Sequence, residues 1–360
     1  MKLQYVDHKE KFLSKKRITV APFLIFLIVS IYAFVVNVGD GYLDIYGATI
    51  FYYNWVDEIA KLQFSLSGLA ETYNVTLKEI SAPEPISGIL VYFITSFIKV
   101  STNVFHLINV LVLILFAYFI KNTFKEKVLF ALMFIVVITG YYEYVLLHMT
   151  HRFKISLLFL MLSLYFANKK QGLSEALFVF SLLSHFSMIA ILPMIFCLRR
   201  LGFTVLPRFS VKKSVATIGI VSLVYIFNAF EGSDTEYLTL IFFNKFNQSS
   251  LPNQAVFTLI SLLLFYGIFK KFFNRFNIFG PLFYLGALFI YIVLSLSFIG
   301  TSRLLMVYYI TFLLIYLANY PYFSPRKRTV IFALFSPLFF YNFINGFIKG
   351  PIAIVYDAIL

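Results

Sequence analysis

Residues 176–198, ALFVFSLLSHFSMIAILPMIFCL, are long enough for one helix across a bilayer, yet basic residues stand at both ends. Lys169 and Lys170 precede the run, and Arg199 opens a basic stretch that continues to Lys213. Lys and Arg collect on the cytoplasmic flank of membrane helices, so a single crossing cannot satisfy both ends. The interruption Ser184-His185-Phe186-Ser187 resolves the conflict if two short arms meet there and the chain turns back. From Gly172 to His185 a helix reaches about 21 Å at ~1.5 Å per residue, short of the ~30 Å hydrocarbon core. Backbone that leaves the helix at that depth is tolerated only inside protein or beside a watery cavity. A broken, re-entrant helix near 184–187 is therefore expected.

Composition sets the frame for that helix. The 360 residues are 61% hydrophobic, 20% aromatic and 13% charged, with a mean hydropathy of +0.87. Soluble domains carry roughly 25% charged residues, so a soluble enzyme, a nucleic-acid-binding domain and a disordered chain are excluded. The expectation is an all-α polytopic membrane protein of about 10–12 transmembrane helices forming a single integral membrane domain over 1–360. Cys197 is the one cysteine, which rules out an intramolecular disulfide within the chain. The apolar stretch after the basic N-terminus has no small-residue cleavage site, so it reads as a retained first helix.

Candidate runs are 18–36, 104–120, 128–147, 153–167, 176–198, 215–230, 254–269, 278–299, 304–319 and 329–348, with a shorter one at 86–98. Long polar interruptions at 37–85 and 231–253 are expected as the first and second outer loops. The net charge of +14 is concentrated in clusters: Lys9 to Arg17, Lys121 to Lys127, Lys169/Lys170, Arg199 to Lys213, Lys270 to Arg275, and Arg326 to Arg328. Placing all of them in the cytoplasm requires the turn at 184–187, and requires 86–98 to dip into or lie along the outer leaflet. Only Lys61, Lys78, Lys99, Arg152, Lys154, Lys245, Arg303 and Lys349 then remain outside.

Built from Lys and Arg alone, this topology puts most unusual polar residues on the outer face. Asp40, Asp44, Tyr46, Tyr52, Asp57 and Glu58 fall in the first outer loop, which ends in Pro83-Glu84-Pro85. Glu143, His148, His151 and Arg152 fall in the turn before 153, and Arg303 opens the run at 304. His148, His151 and Arg152 share one face of a helix by their spacing, but no further ligand at metal-site spacing accompanies them. Neither a metal nor another cofactor is expected. A Ser-His-x-Ser break inside an apolar run is costly without a partner, which favours a functional His185 over a hydrogen-bonded interior histidine. Two arginines near a common outer cavity point to an anionic ligand, with snorkelling as their bland alternative. No H-E-x-x-H, G-x-S-x-G or Walker A motif is present, so metalloproteolysis, serine hydrolysis and ATP hydrolysis have no support.

Several of these residues also fall into a pattern that resembles a known family, the Wzy-type polysaccharide polymerases in their EpsG-like branch. The likeness rests on Val38-Gly39-Asp40-Gly41-Tyr42-Leu43-Asp44-Ile45-Tyr46 after the first helix, and on Glu84-Pro85 before the next apolar run. Arg152 through Ser156 matches an Arg that opens an outer helix. His185-Phe186-Ser187-Met188-Ile189-Ala190-Ile191-Leu192-Pro193 is the nearest match, and Arg303 followed by Tyr308 and Tyr309 resembles a late Arg-Tyr motif one position longer.

The resemblance implies a multi-helix, metal-independent lipid-linked glycosyltransferase in the bacterial cytoplasmic membrane, with its N-terminus inside and its active site on the outer face. Such an enzyme moves a glycan from undecaprenyl diphosphate to a sugar hydroxyl of another carrier-linked repeat unit. Expected partners are that undecaprenyl-diphosphate-linked oligosaccharide, membrane lipids and a chain-length regulator protein, and no nucleic acid. His185, Glu84, Asp44 and Asp40 are the candidate catalytic groups, since the acceptor hydroxyl needs a proton acceptor. Arg152, Arg303, His151 and His148 are candidates to bind the diphosphate, where forked arginines act well on phosphate oxygens. Tyr46 and Glu143 are candidates for sugar binding. An O-antigen ligase-like transferase shares the donor chemistry, and a lipid-linked oligosaccharide flippase is the alternative outside catalysis.

Overall fold

The computed structural model describes residues 48–80, 84–230, 284, 286–292 and 302–349. The runs expected at 18–36 and 254–269, and the second outer loop at 231–253, lie outside them. The regular structure of the described residues is helical, and they contain no strand. In chain order the helices are α1 (Ala48–Lys61), α2 (Leu66–Ile80), α3 (Pro85–Thr95), α4 (Ser101–Thr123), α5 (Lys127–Ile138) and α6 (Tyr141–Met149). They continue with α7 (His151–Phe166), α8 (Gln171–Ser184), a 3-10 helix (Phe186–Ala190), α9 (Ile191–Arg200) and α10 (Val211–Phe230). Further along the chain come α11 (Ser302–Asn319), a 3-10 turn (Tyr320–Tyr322) and α12 (Pro325–Lys349). Two stretches, Ser101–Thr123 and Leu304–Tyr322, are long and apolar enough to cross a membrane.

Within the segment expected as the first outer loop, residues 48–80 form two helices. Gly68, Thr72, Thr76 and Ile80 repeat every fourth residue on α2, so they line one buried stripe. Trp55 of α1 donates its indole N–H to Thr76 at 3.1 Å. Gly88 of α3 meets the same stripe: a Cβ there would lie 2.3 Å from the Thr76 hydroxyl, so only glycine permits the approach. The run at 86–98 becomes the short α3, which spans about 16 Å at ~1.5 Å per residue and cannot cross a bilayer.

The run expected as one helix over 128–147 is two, separated at Thr139 and Gly140. A Cβ at Gly140 would stand 2.3 Å from a Glu143 carboxylate oxygen and 2.5 Å from the Asn342 amide nitrogen. Asn342 closes the junction, accepting the Tyr142 N–H at 2.7 Å and donating to Glu143 at 2.7 Å.

The segment 171–200 breaks at His185, whose backbone is extended between α8 and the 3-10 helix. Beyond the break the chain returns toward the start of α8. Phe209 packs edge-on against Phe178 with ring centres 5.2 Å apart, and Lys213 pairs with Glu175. The two arms therefore form a hairpin whose basic ends are neighbours.

Four basic clusters gather at that end of the bundle. Thr123, which closes α4 between Lys121 and Lys125, donates to the Leu317 carbonyl of α11 at 3.0 Å. Lys169 sits 3.6 Å above the Tyr165 ring, which itself packs on Tyr118 of α4. Asn319 accepts the N–H groups of Thr204 and Val205 at 2.8 and 2.7 Å and donates to Val205 and Ile315. Lys327 donates to the Leu201 carbonyl at 2.6 Å. α4, α7, α8 and α11 run between this basic end and an opposite end where Ser101, His151, Ser184 and Ser302 lie at helix termini.

Candidate functional site

Breaking a helix at His185 frees backbone groups that need partners once buried. The short sequence Glu84-Pro85-Ile86-Ser87 supplies them. Pro85 occupies the first turn of α3, where its missing N–H costs nothing. Ser87 donates its hydroxyl to the Ser184 carbonyl at 2.7 Å, and Glu84 accepts the Phe186 N–H on Oε1 at 3.3 Å. On the far side, Tyr291 donates to the Ala190 carbonyl at 2.7 Å.

Glu84 also joins two charged side chains. Its Oε1 lies 3.1 Å from His185 Nδ1, and its Oε2 accepts Arg152 Nη1 at 2.9 Å. The partners meet across 101 residues for His185 and 68 for Arg152. The carboxylate is only 3% exposed, whereas the Arg152 and His185 side chains are 20% and 21% exposed. A buried anion therefore backs two partly open groups, one cationic and one able to exchange a proton. Such an arrangement can bind an anion on the arginine while the imidazole handles a proton beside it.

α7 carries the wall of this site. Arg152 Nε lies 3.4 Å from the Tyr52 hydroxyl of α1. The His151 ring is enclosed by Phe105 at 4.0 Å and Tyr52 at 4.9 Å between centres. Lys154 is 0% exposed, donates to the Leu147 carbonyl at 2.6 Å and lies 3.2 Å from His151 Nδ1. Phe153 packs against the His185 ring with centres 5.8 Å apart.

The structure thus brings together Glu84, Arg152 and His185, with His151 buried behind them. Glu143 shares no hydrogen bond with this group. It is buried against Asn342, and its Oε1 has no hydrogen-bond partner among the described residues. Asp40, Asp44 and Tyr46 lie outside the described residues, as do the side chains of His148 and Arg303, which occupy positions on α6 and α11. Among the described residues there is no group of three or more His, Cys, Asp or Glu able to hold a metal.

Ser87 and Lys154 belong to the site although nothing in the linear pattern marked them. A serine two residues after Glu84-Pro85 carries no signal of its own, and Lys154 read as a lysine at a helix end. Comparison with known protein families, with curated proteins and with solved structures finds no match.

Proposed function

We propose that this chain is a polytopic protein of the bacterial cytoplasmic membrane that polymerises lipid-linked glycans on the outer face. The supporting observation is the Arg152–Glu84–His185 cluster, formed at the end of the bundle opposite the basic clusters. By the distribution of Lys and Arg, the basic end faces the cytoplasm and the cluster faces outward.

In this reading Arg152, with Arg303, holds the diphosphate of the donor through charge-assisted hydrogen bonds. His185 takes the proton from a sugar hydroxyl of the acceptor repeat unit. That oxygen forms a bond to the anomeric carbon as the carbon–oxygen bond to the diphosphate breaks. The bonding pair leaves with the diphosphate, where fixed cations stabilise the growing charge. The carrier lipid reaches the site from the bilayer beside it.

The test is elongation of a purified undecaprenyl-diphosphate-linked repeat unit by the purified protein in liposomes. A ladder of products, lost in Arg152→Ala and only partly retained in Arg152→Lys, supports the reading, because a point charge does not replace a forked grip. Movement of the unit across the bilayer without elongation sinks it in favour of transport.

A further inference from the structure

We infer that Glu84 is a positioning residue that fixes the His185 ring as its Nδ1–H tautomer and leaves Nε2 as the proton-accepting atom. The assignment follows from counting donors and acceptors. Oε2 of Glu84 takes a charged donor from Arg152 at 2.9 Å, which holds the group as a carboxylate. A carboxylate only accepts, and Oε1 already accepts the Phe186 N–H at 3.3 Å. The 3.1 Å contact between Oε1 and His185 Nδ1 is then a hydrogen bond only if Nδ1 carries the proton. In a neutral imidazole the proton on one nitrogen leaves the other with a lone pair. Among the described residues, Nε2 has no hydrogen-bond partner, and the side chain keeps a fifth of its surface open.

The same carboxylate stabilises the imidazolium that forms when Nε2 takes a proton, as the orienting acid does in a Ser-His-Asp triad. Glu84 therefore acts through His185 and does not itself take the substrate proton. Three of its roughly four lone-pair directions are taken by Phe186, His185 and Arg152, and the carboxylate is 3% exposed, which leaves the more open His185 ring as the proton acceptor. Ser87 completes the device by holding the Ser184 carbonyl, which keeps the extended backbone of His185 over the carboxylate. The tautomer assignment is independent of substrate; its catalytic consequence rests on the polymerase reading.

Both parts can be measured on the full-length protein labelled with 15N-histidine in lipid nanodiscs. Two-bond proton–nitrogen correlations distinguish the tautomers of the neutral ring, and the His185→Gln spectrum identifies which signals belong to His185. The wild-type protein is expected to show Nδ1–H at His185 when the ring is neutral. Glu84→Gln is expected to move the ring toward Nε2–H, because the amide can donate to Nδ1. Glu84→Asp should retain the Nδ1–H form in part. A wild-type His185 found as Nε2–H overturns the inference whatever the variants do, and so does a Glu84→Gln protein whose tautomer is unchanged. In elongation, Glu84→Gln is expected to lose roughly two to four orders of magnitude in rate while donor binding persists. If the wild type shows the Nδ1–H tautomer but elongates nothing, the polymerase reading fails and the positioning role stands.

Discussion

Removing Arg152 tests whether the buried carboxylate is held by charge. Arg152→Ala strips Glu84 Oε2 of its 2.9 Å donor and leaves a carboxylate that is 3% exposed facing a cavity. Breaking a buried ion pair from one side costs about 3–5 kcal/mol, and Arg152 being a fifth exposed puts the expectation near the lower end, about 3 kcal/mol. Glu84→Gln removes the charge and, with its amide NH2 turned to His185 Nδ1, gives up the Phe186 N–H, while the released guanidinium can turn to solvent. Its cost is about 1.5–3 kcal/mol, the range for hydrogen bonds to charged groups. Once Glu84 is neutral, deleting Arg152 no longer strands a charge. The double variant should therefore fall short of the sum by about 2 kcal/mol, within the range of coupled neighbours. Reversible unfolding in mixed micelles with rising SDS, read by circular dichroism, gives all four corners of the cycle. Additivity within about 0.5 kcal/mol would refute the ion-pair account, since that is how independent sites behave.

Three further outcomes are expected. Cys197 is buried, so single cysteines can be added to an almost silent background: Lys170→Cys and Arg326→Cys should react with an impermeant maleimide from one side of sealed vesicles. Phe64→Cys and Lys99→Cys should react only from the other, and labelling of all four from one side would remove the proposed orientation. Glu143→Gln should keep elongation near wild type, because Glu143 bonds to Asn342 and not to the Glu84 cluster. A drop like that expected of Glu84→Gln would return Glu143 to the site. Asn319→Ala removes four hydrogen bonds, three of them joining α11 to the loop at 204–205, and a loss of about 2–4 kcal/mol in the same SDS unfolding is expected.

Much of the helix break could be read in the chain because it rests on local chemistry. A polar Ser-His-x-Ser inside an apolar run, with lysines and arginines on both flanks, can satisfy its charges only by turning back, and the basic ends of 171–200 are neighbours in the fold. The short helices at 48–61 and 66–80 were hidden because hydropathy averages do not register a stripe of Gly68, Thr72 and Thr76, whose value is small size and close approach. The split at Gly140 was hidden for a similar reason: the residue that fills the space, Asn342, comes 202 positions later. Site composition divides the same way. Glu84, Arg152 and His185 each stood out by residue type and position, but their grouping depends on contacts 68 and 101 residues apart. Which carboxylate oxygen faces which partner is decided by the packing of α3 against the broken helix. That packing assigns Glu84 to holding the other two residues, a role that no spacing along the chain can express.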